Sequence, residues 1–212
     1  RAFGIDLHWL PHAHGALEVA RLVKKHHPDV PVIFGGYSAS YFHDELVRMP
    51  MADYVVRGDS AEIPLAQLLA RFQAGDDPTD VPNLTWLGPA GEVRVNPLTH
   101  VPTNLDHLTL DYRSVVRSVV RDRDLLNYVP FSHWMEYPIM ASLTVKGCTQ
   151  NCTICGGSAF ASRQMYARQK PAYRSPERLA ADVRRMGKLS RGPVFLLGDL
   201  RQAGMDYARR FF

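Results

Sequence analysis

From Arg1 to Ala74 the chain alternates short apolar runs with segments of helical period, and the joins between them are short. "RAFGIDLHW" reads as a strand ending near Asp6. In "GALEVARLVKKHH" the residues Leu17, Ala20, Leu22 and Val23 fall at helical spacing, with Lys and His on the other face. "PDVPVIFGG" is a buried-type strand, Val30 to Phe34, closed by two glycines. "ASYFHDELVRM" reads as a second helix, "ADYVVRG" as a third strand, and "AEIPLAQLLARF" as a third helix ended by "AGDDP". Such alternation is the signature of right-handed βαβ units, so an α/β fold with a parallel sheet is expected.

The character then changes. "VPNLTWLGPAGEVRVNP" reads as a hairpin with "GPAG" as its turn, and "LTHVPTNLDHLTLDYRS" as a linker punctuated by Pro and Asp. "VVRSVVRDRDLLNYVPF" is expected to be partly helical. "MASLTV" is a new strand. In "SPERLAADVRRMGKL" Ser175 is placed as a helix N-cap, Pro176 at the first helical position and Glu177 in the first turn. "PVFLLGDL" is the next strand, and "RQAGMDYARRFF" begins another helix. A second strand–helix series therefore starts near residue 139. The expected organisation is 1–75, then a hairpin and linker over 76–137, then 138–212.

At 212 residues, 46% hydrophobic and 22% charged, the balance is that of a soluble globular protein of one large or two small domains. No apolar run approaches the roughly 18 residues of a membrane span. The opening has no Met and no basic region before an apolar run, so no signal peptide is read, and "YARRFF" stops inside an expected helix. Both ends look cut, and the chain is taken as a fragment. From Arg163 onward there are twelve Lys and Arg against four Asp and Glu. That suits a solvated helix face around an anionic cofactor, or nucleic acid as a rival.

All three cysteines, Cys148, Cys152 and Cys155, lie within "VKGCTQNCTICGGS", on a loop that leaves a strand. An odd number argues against a disulfide framework and for a reducing compartment, here read as cytoplasmic, with a metal or catalytic role. A closed zinc site needs four protein ligands, and the fourth would come from upstream, such as His133. An iron–sulfur cube also prefers four cysteines; with three, one iron keeps a position open to a small molecule. Incidental buried thiols are the remaining reading.

"CTQNCTIC" resembles the signature of the radical S-adenosylmethionine (SAM) enzymes. The resemblance implies that Cys148, Cys152 and Cys155 hold a 4Fe-4S cluster. S-adenosylmethionine would chelate the fourth iron, at the end of the first strand of a (β/α) barrel. Gly156 and Gly157 would let backbone approach that cofactor, since glycine has no Cβ. Gly198 and Asp199, in a small-acidic turn after the next strand, would meet its ammonium through a charge-assisted hydrogen bond. The family more often has Gly-Gly-Glu there, and Asp also caps helices. Arg174 is a candidate for the cofactor carboxylate.

"GIDLHW", "VPVIFGGYSAS" and "DYVVRGDSAEIPL" resemble the later half of the Rossmann-like cobalamin-binding domain found before the barrel in cobalamin-dependent members. The implied fold is a partial cobalamin-binding domain over 1–75, then the start of a radical SAM barrel over 138–212. Ligands of open α/β sheets sit beyond the carboxyl ends of the strands. Asp6, Leu7 and His8, then Gly35, Gly36, Tyr37 and Ser38, then Arg57, Gly58 and Asp59, fall there. Gly35 and Gly36 would let the corrinoid's nucleotide tail pass, with Ser38 and Ser40 as hydrogen-bonding groups, or would serve turn geometry alone. His8, His12 and His14 crowd one loop and invite a metal-ligand reading, against plain surface histidines. Trp9 could wall off the corrin face.

The resemblance implies an enzyme. A reduced cluster donates an electron into S-adenosylmethionine, giving a 5′-deoxyadenosyl radical that takes hydrogen from an unactivated carbon, and methylcobalamin then methylates that carbon. Rearrangement, oxidation and RNA methylthiolation are alternatives within the family; a zinc- or nucleic-acid-binding module is the alternative outside it. The expected partners are a small-molecule substrate and an electron donor such as flavodoxin or ferredoxin. No RNA-binding module is read, so nucleic acid is not expected. The residues present hold too little barrel to close, so activity is not expected of them alone.

Overall fold

The computed structural model describes residues 1–124 and 136–212. They form two compact units, residues 1–102 with 154–156 and 160–169, and residues 103–153 with 157–159 and 170–212.

The first unit is built on five strands in the order β1-β2-β3-β4-β5: Phe3–Asp6, Val32–Gly35, Tyr54–Val56, Leu84–Leu87 and Val93–Val95. The first three are parallel, joined through α1 (Ala13–His26) and then through α2 (Tyr37–Tyr41) and α3 (His43–Val47). The single helix expected over "ASYFHDELVRM" is thus two short ones meeting at Phe42. After α4 (Glu62–Ala74) the hairpin β4–β5 extends the same sheet, β4 pairing antiparallel with β3.

Strand alternation sorts the core. Val32, Phe34 and Val55 point to the face covered by Ala20 of α1 and by Leu46 and Val47 of α3. Ile33 and Val56 point to the other face, against Leu68 of α4. A strand buried on both faces reads as a continuous apolar run, which is why "VIF" carried so clear a signal. Asn83, fully buried, holds the approach to the hairpin. Its amide donates to the carbonyl oxygens of Arg57 and His100, and its oxygen accepts the His100 N–H at 3.1 Å.

In the second unit α5 (Tyr112–Arg121) overlaps the start of the stretch expected to be partly helical; the part of that stretch from 125 to 131 lies outside the described residues, as does His133. β6 (Met140–Leu143) pairs in parallel with β9 (Val194–Leu197), and β7 (Val145–Lys146) pairs antiparallel with β8 (Ala172–Tyr173). α7 (Pro176–Gly187) runs between β8 and β9, whereas α6 (Ala159–Tyr166), which follows β7 in sequence, belongs from Phe160 onward to the first unit. Ser175 caps α7, its hydroxyl accepting the Arg178 N–H, with Pro176 opening the first turn. Met186 of α7 packs on Met140 of β6. Tyr112 Oη donates to the Ala141 carbonyl at 3.1 Å and accepts the Ala141 N–H at 2.8 Å. One phenol so satisfies both main-chain groups of a residue on β6. After β9 a short 3-10 turn, Leu200–Ala203, precedes α8 (Met205–Phe211), so "RQAGMDYARRFF" is a turn and then a helix.

Among the described residues no helix is long and apolar enough to cross a membrane.

Candidate functional site

The carboxyl ends of β1, β2 and β3 form one edge of the first unit. The β1 tip closes on β2: the Leu7 N–H donates to the Gly35 carbonyl at 2.7 Å, and Ser38 Oγ donates to the His8 carbonyl at 3.1 Å. Ser40 Oγ donates to the Gly36 carbonyl and accepts the Gly58 N–H at 3.0 Å, tying β2 to β3. Both hydroxyls expected to face a ligand therefore hold the strand tips together, and Ser38 keeps an acceptor lone pair to offer. Gly36 has φ of +103°, and a Cβ there would lie 2.6 Å from Asp6 Oδ1 and 2.7 Å from the Leu7 carbonyl carbon. Backbone cannot yield as a side-chain end can. Gly36→Ala is expected to lower stability by about 2 kcal/mol or more, measured by urea unfolding.

Beside this edge, on the face carrying α4, a cleft of about 320 Å³ is lined by Ile5, Asp6, Gly35, Gly36, Val56 and Leu65 among others. Its walls are mainly apolar and backbone, with the exposed Asp6 at its margin.

Aromatic rings crowd the same edge. His8 lies 4.2 Å from Tyr37 between ring centroids, and Tyr37 stacks on Tyr166 at 4.9 Å. Burial, then the charge of Asp59, pushes the Tyr37 phenol up; burial, then Tyr37 and Asp59, does the same to Tyr166. His8 is thus packed between rings, with Trp9 edge-on at 5.2 Å, and Trp9 itself is exposed. At the β3 tip, Asp59 forms a two-pronged ion pair with Arg168, both side chains buried, the second prong at 2.9 Å. Arg168 also donates to the Pro102 carbonyl at 2.9 Å and to Ser60 Oγ at 3.3 Å. The Tyr37–Tyr166 stack and the Asp59–Arg168 ion pair had no local sequence signal: in each the partners are more than a hundred residues apart.

In the cysteine loop Cys148 is half-buried and Cys152 and Cys155 are exposed, all three as free thiols. The reading as incidental buried thiols is overturned by that exposure. Among the described residues no three His, Cys, Asp or Glu side chains stand together as a metal site. The donor set still fits an iron–sulfur centre: three unpaired thiols at short spacing, reachable from solvent, with no disulfide consuming them. Gly156 and Gly157 are exposed, and a Cβ at Gly156 would meet nothing within 4 Å.

The turn after β9 holds the first cysteine. Gln202 Oε1 accepts the Thr149 N–H at 3.0 Å and the Thr149 hydroxyl at 3.1 Å, and its Nε2 donates to Cys148 Sγ at 3.5 Å. Gly198 has φ of +115°, and a Cβ would fall 2.4 Å from Val145 Cγ1 and 2.6 Å from Thr144 Oγ1. Glycine lets the end of β9 lie against the strand that feeds the cysteines. Asp199 caps the 3-10 turn through the Arg201 N–H and pairs with the Arg201 guanidinium at 2.9 Å, which holds its carboxyl below the usual range. Its carboxylate faces a cation on its own turn. Arg174 is fully buried and stands 2.6 Å from Asp182, so it is turned to the interior. Tyr173 Oη is hidden from solvent with no hydrogen-bond partner. Burial, then the charges of Cys148 and Asp199, pushes its phenol up.

No family model matches the sequence. Over 157 residues the chain is 24% identical to the anaerobic magnesium-protoporphyrin IX monomethyl ester cyclase of Synechocystis, an alignment covering 74% of this chain and 28% of that protein. TsrM of Kitasatospora setae, a radical S-adenosylmethionine methyltransferase solved with tryptophan and a SAM analogue, superposes with a TM-score of 0.70 at 16% identity. That match covers 98% of this chain and 38% of TsrM. The cobalamin-dependent radical enzyme OxsB, solved with aqua-cobalamin and S-adenosylmethionine, superposes at 0.69 and 14% identity, over 99% of this chain and 28% of OxsB. The fold is that of the cobalamin-dependent radical SAM enzymes. The chain spans between a quarter and two-fifths of the length of these proteins. TsrM has also been solved with cobalamin and a 4Fe-4S cluster bound.

Proposed function

We propose that this chain is the corrinoid-facing sheet and cluster-binding loop of a cobalamin-dependent radical SAM enzyme, acting as a methyltransferase on a small molecule. The observation that carries this reading is the trio of free, solvent-reachable thiols in the loop after β7. It stands on the fold shared with TsrM and OxsB.

Cys148, Cys152 and Cys155 would bind three irons as thiolates, leaving one coordination position for S-adenosylmethionine. When bound, the cluster would supply the electron that splits the carbon–sulfur bond of S-adenosylmethionine, and the corrinoid the methyl group. The chain's own work is to hold and to exclude. Gly198 seats β9 against the strand feeding the loop, and Gln202 fixes its start. Asp199 would reach the cofactor's ammonium by exchanging Arg201 for it, which is feasible because that pair is exposed and water screens it. The cleft beside Gly35 and Gly36 suits a flat apolar heterocycle, with Asp6 at its margin, so the corrinoid's nucleotide tail is assigned there. His8, wedged against Tyr37, is assigned to shaping that edge and not to metal.

The test is the full-length protein produced with cobalamin and reconstituted with iron and sulfide without oxygen. A corrinoid absorbance band, an iron–sulfur chromophore and a product heavier by one CH2 are expected. Zinc without iron or sulfide would sink the reading; a product of unchanged mass would move it to rearrangement.

A further inference from the structure

Gln202 is a neutral side chain that contacts two consecutive residues of the cysteine loop. Its amide orientation is fixed by its surroundings: the Thr149 N–H is an obligate donor, so the oxygen must face Thr149 at 3.0 Å, and the NH2 is left to face Cys148 Sγ at 3.5 Å. The Gln150 N–H donates to the same sulfur at 3.3 Å. Two N–H groups therefore converge on Cys148. A second fact makes the contact selective: Cys152 and Cys155 are exposed, whereas Cys148 is half-buried.

We infer that Gln202 is a positioning residue that anchors the cysteine loop through Thr149 and, through its N–H on Cys148, raises the reduction potential of the cluster. The inference rests on the proposed cluster. An N–H donor stabilises the state in which the sulfur carries more negative charge, and one added electron makes the reduced cluster that state. The bond is stronger to a thiolate than to the thiol. In a half-buried position it is less screened by water. The anchor and the tuning use different atoms of one side chain, so they can be separated.

The experiment is an anaerobic redox titration of the full-length, iron- and sulfide-loaded protein, with titanium(III) citrate as the one-electron reductant and electron paramagnetic resonance as the readout. Gln202→Leu removes both bonds. Gln202→Glu keeps an acceptor for Thr149 and replaces the donor by a carboxylate oxygen. Both variants are expected to hold iron and sulfide at the wild-type level. The Leu variant should take up the electron about threefold less favourably, and the Glu variant about tenfold or more, the latter being 59 mV for one electron. That order is one a purely structural role would not produce. Wild-type midpoints in both variants, or iron lost from both at unchanged folding, would overturn the tuning role alone. Absence of iron from the wild type would overturn the cluster reading and this inference with it.

Discussion

Alanine at Cys148, Cys152 or Cys155, one at a time, is expected to abolish binding of the proposed cluster: iron and acid-labile sulfide should fall to background after anaerobic loading, with the chromophore absent. The argument is one of coordination number. With three thiolates the proposed cluster would already have one iron without a protein ligand. Among the described residues no other metal-binding group of side chains stands ready to replace a lost sulfur. The same substitutions are expected to leave the fold nearly untouched, because Cys152 and Cys155 are exposed and surface changes usually stay within about 0.5 kcal/mol. Cys148 accepts from Gln150 and Gln202, so its alanine variant costs slightly more. Thr153→Ala, in the same loop, is expected to keep iron and sulfide. Total loss of metal at an unchanged melting temperature separates a ligand from a folding residue. Iron retained by any one of the three variants would refute the three-thiolate site.

How much of this was legible in the sequence follows from the distance over which each feature is encoded. The βαβ series was readable because period and turn chemistry are local: "VIF" is buried on both faces, and Ser175-Pro176 writes the start of α7 in two letters. The cysteine trio was readable because its spacing is local too. The two-helix break at Phe42 was not, since "ASYFHDELVRM" keeps helical period across the join. Gln202 was invisible, because a glutamine in a turn has no pattern until Thr149 lies opposite it. Arg174 was visible only as a charge, and charge alone suggested the cofactor. The structure turns it to Asp182, a residue on the helix that follows. Asp59 was taken only as part of a strand tip, and its real partner stands 109 residues later.

That partner gives the second large effect. The exposed ion pairs of this chain, such as Arg48 with Asp44, are screened by water and contribute little. Asp59 and Arg168 differ: their side chains are 4% and 2% exposed. Removing one partner strands a charge that water cannot reach, at a cost of about 3–5 kcal/mol. Asp59→Ala leaves Arg168 its contacts with Pro102 and Ser60, which soften the loss but cannot neutralise the guanidinium. Arg168→Met leaves a buried carboxylate and is expected to be at least as damaging. Removing both charges together is expected to recover much of the deficit, because two buried ions exchanged for apolar groups are often close to neutral. A double-mutant cycle on this chain, followed by urea unfolding with hydrogen exchange on the amides of β1 to β3, measures it. A coupling of about 2 kcal/mol or more is expected. Additive single effects would show that the two charges act independently and that the ring stack of His8, Tyr37 and Tyr166 holds this edge without them.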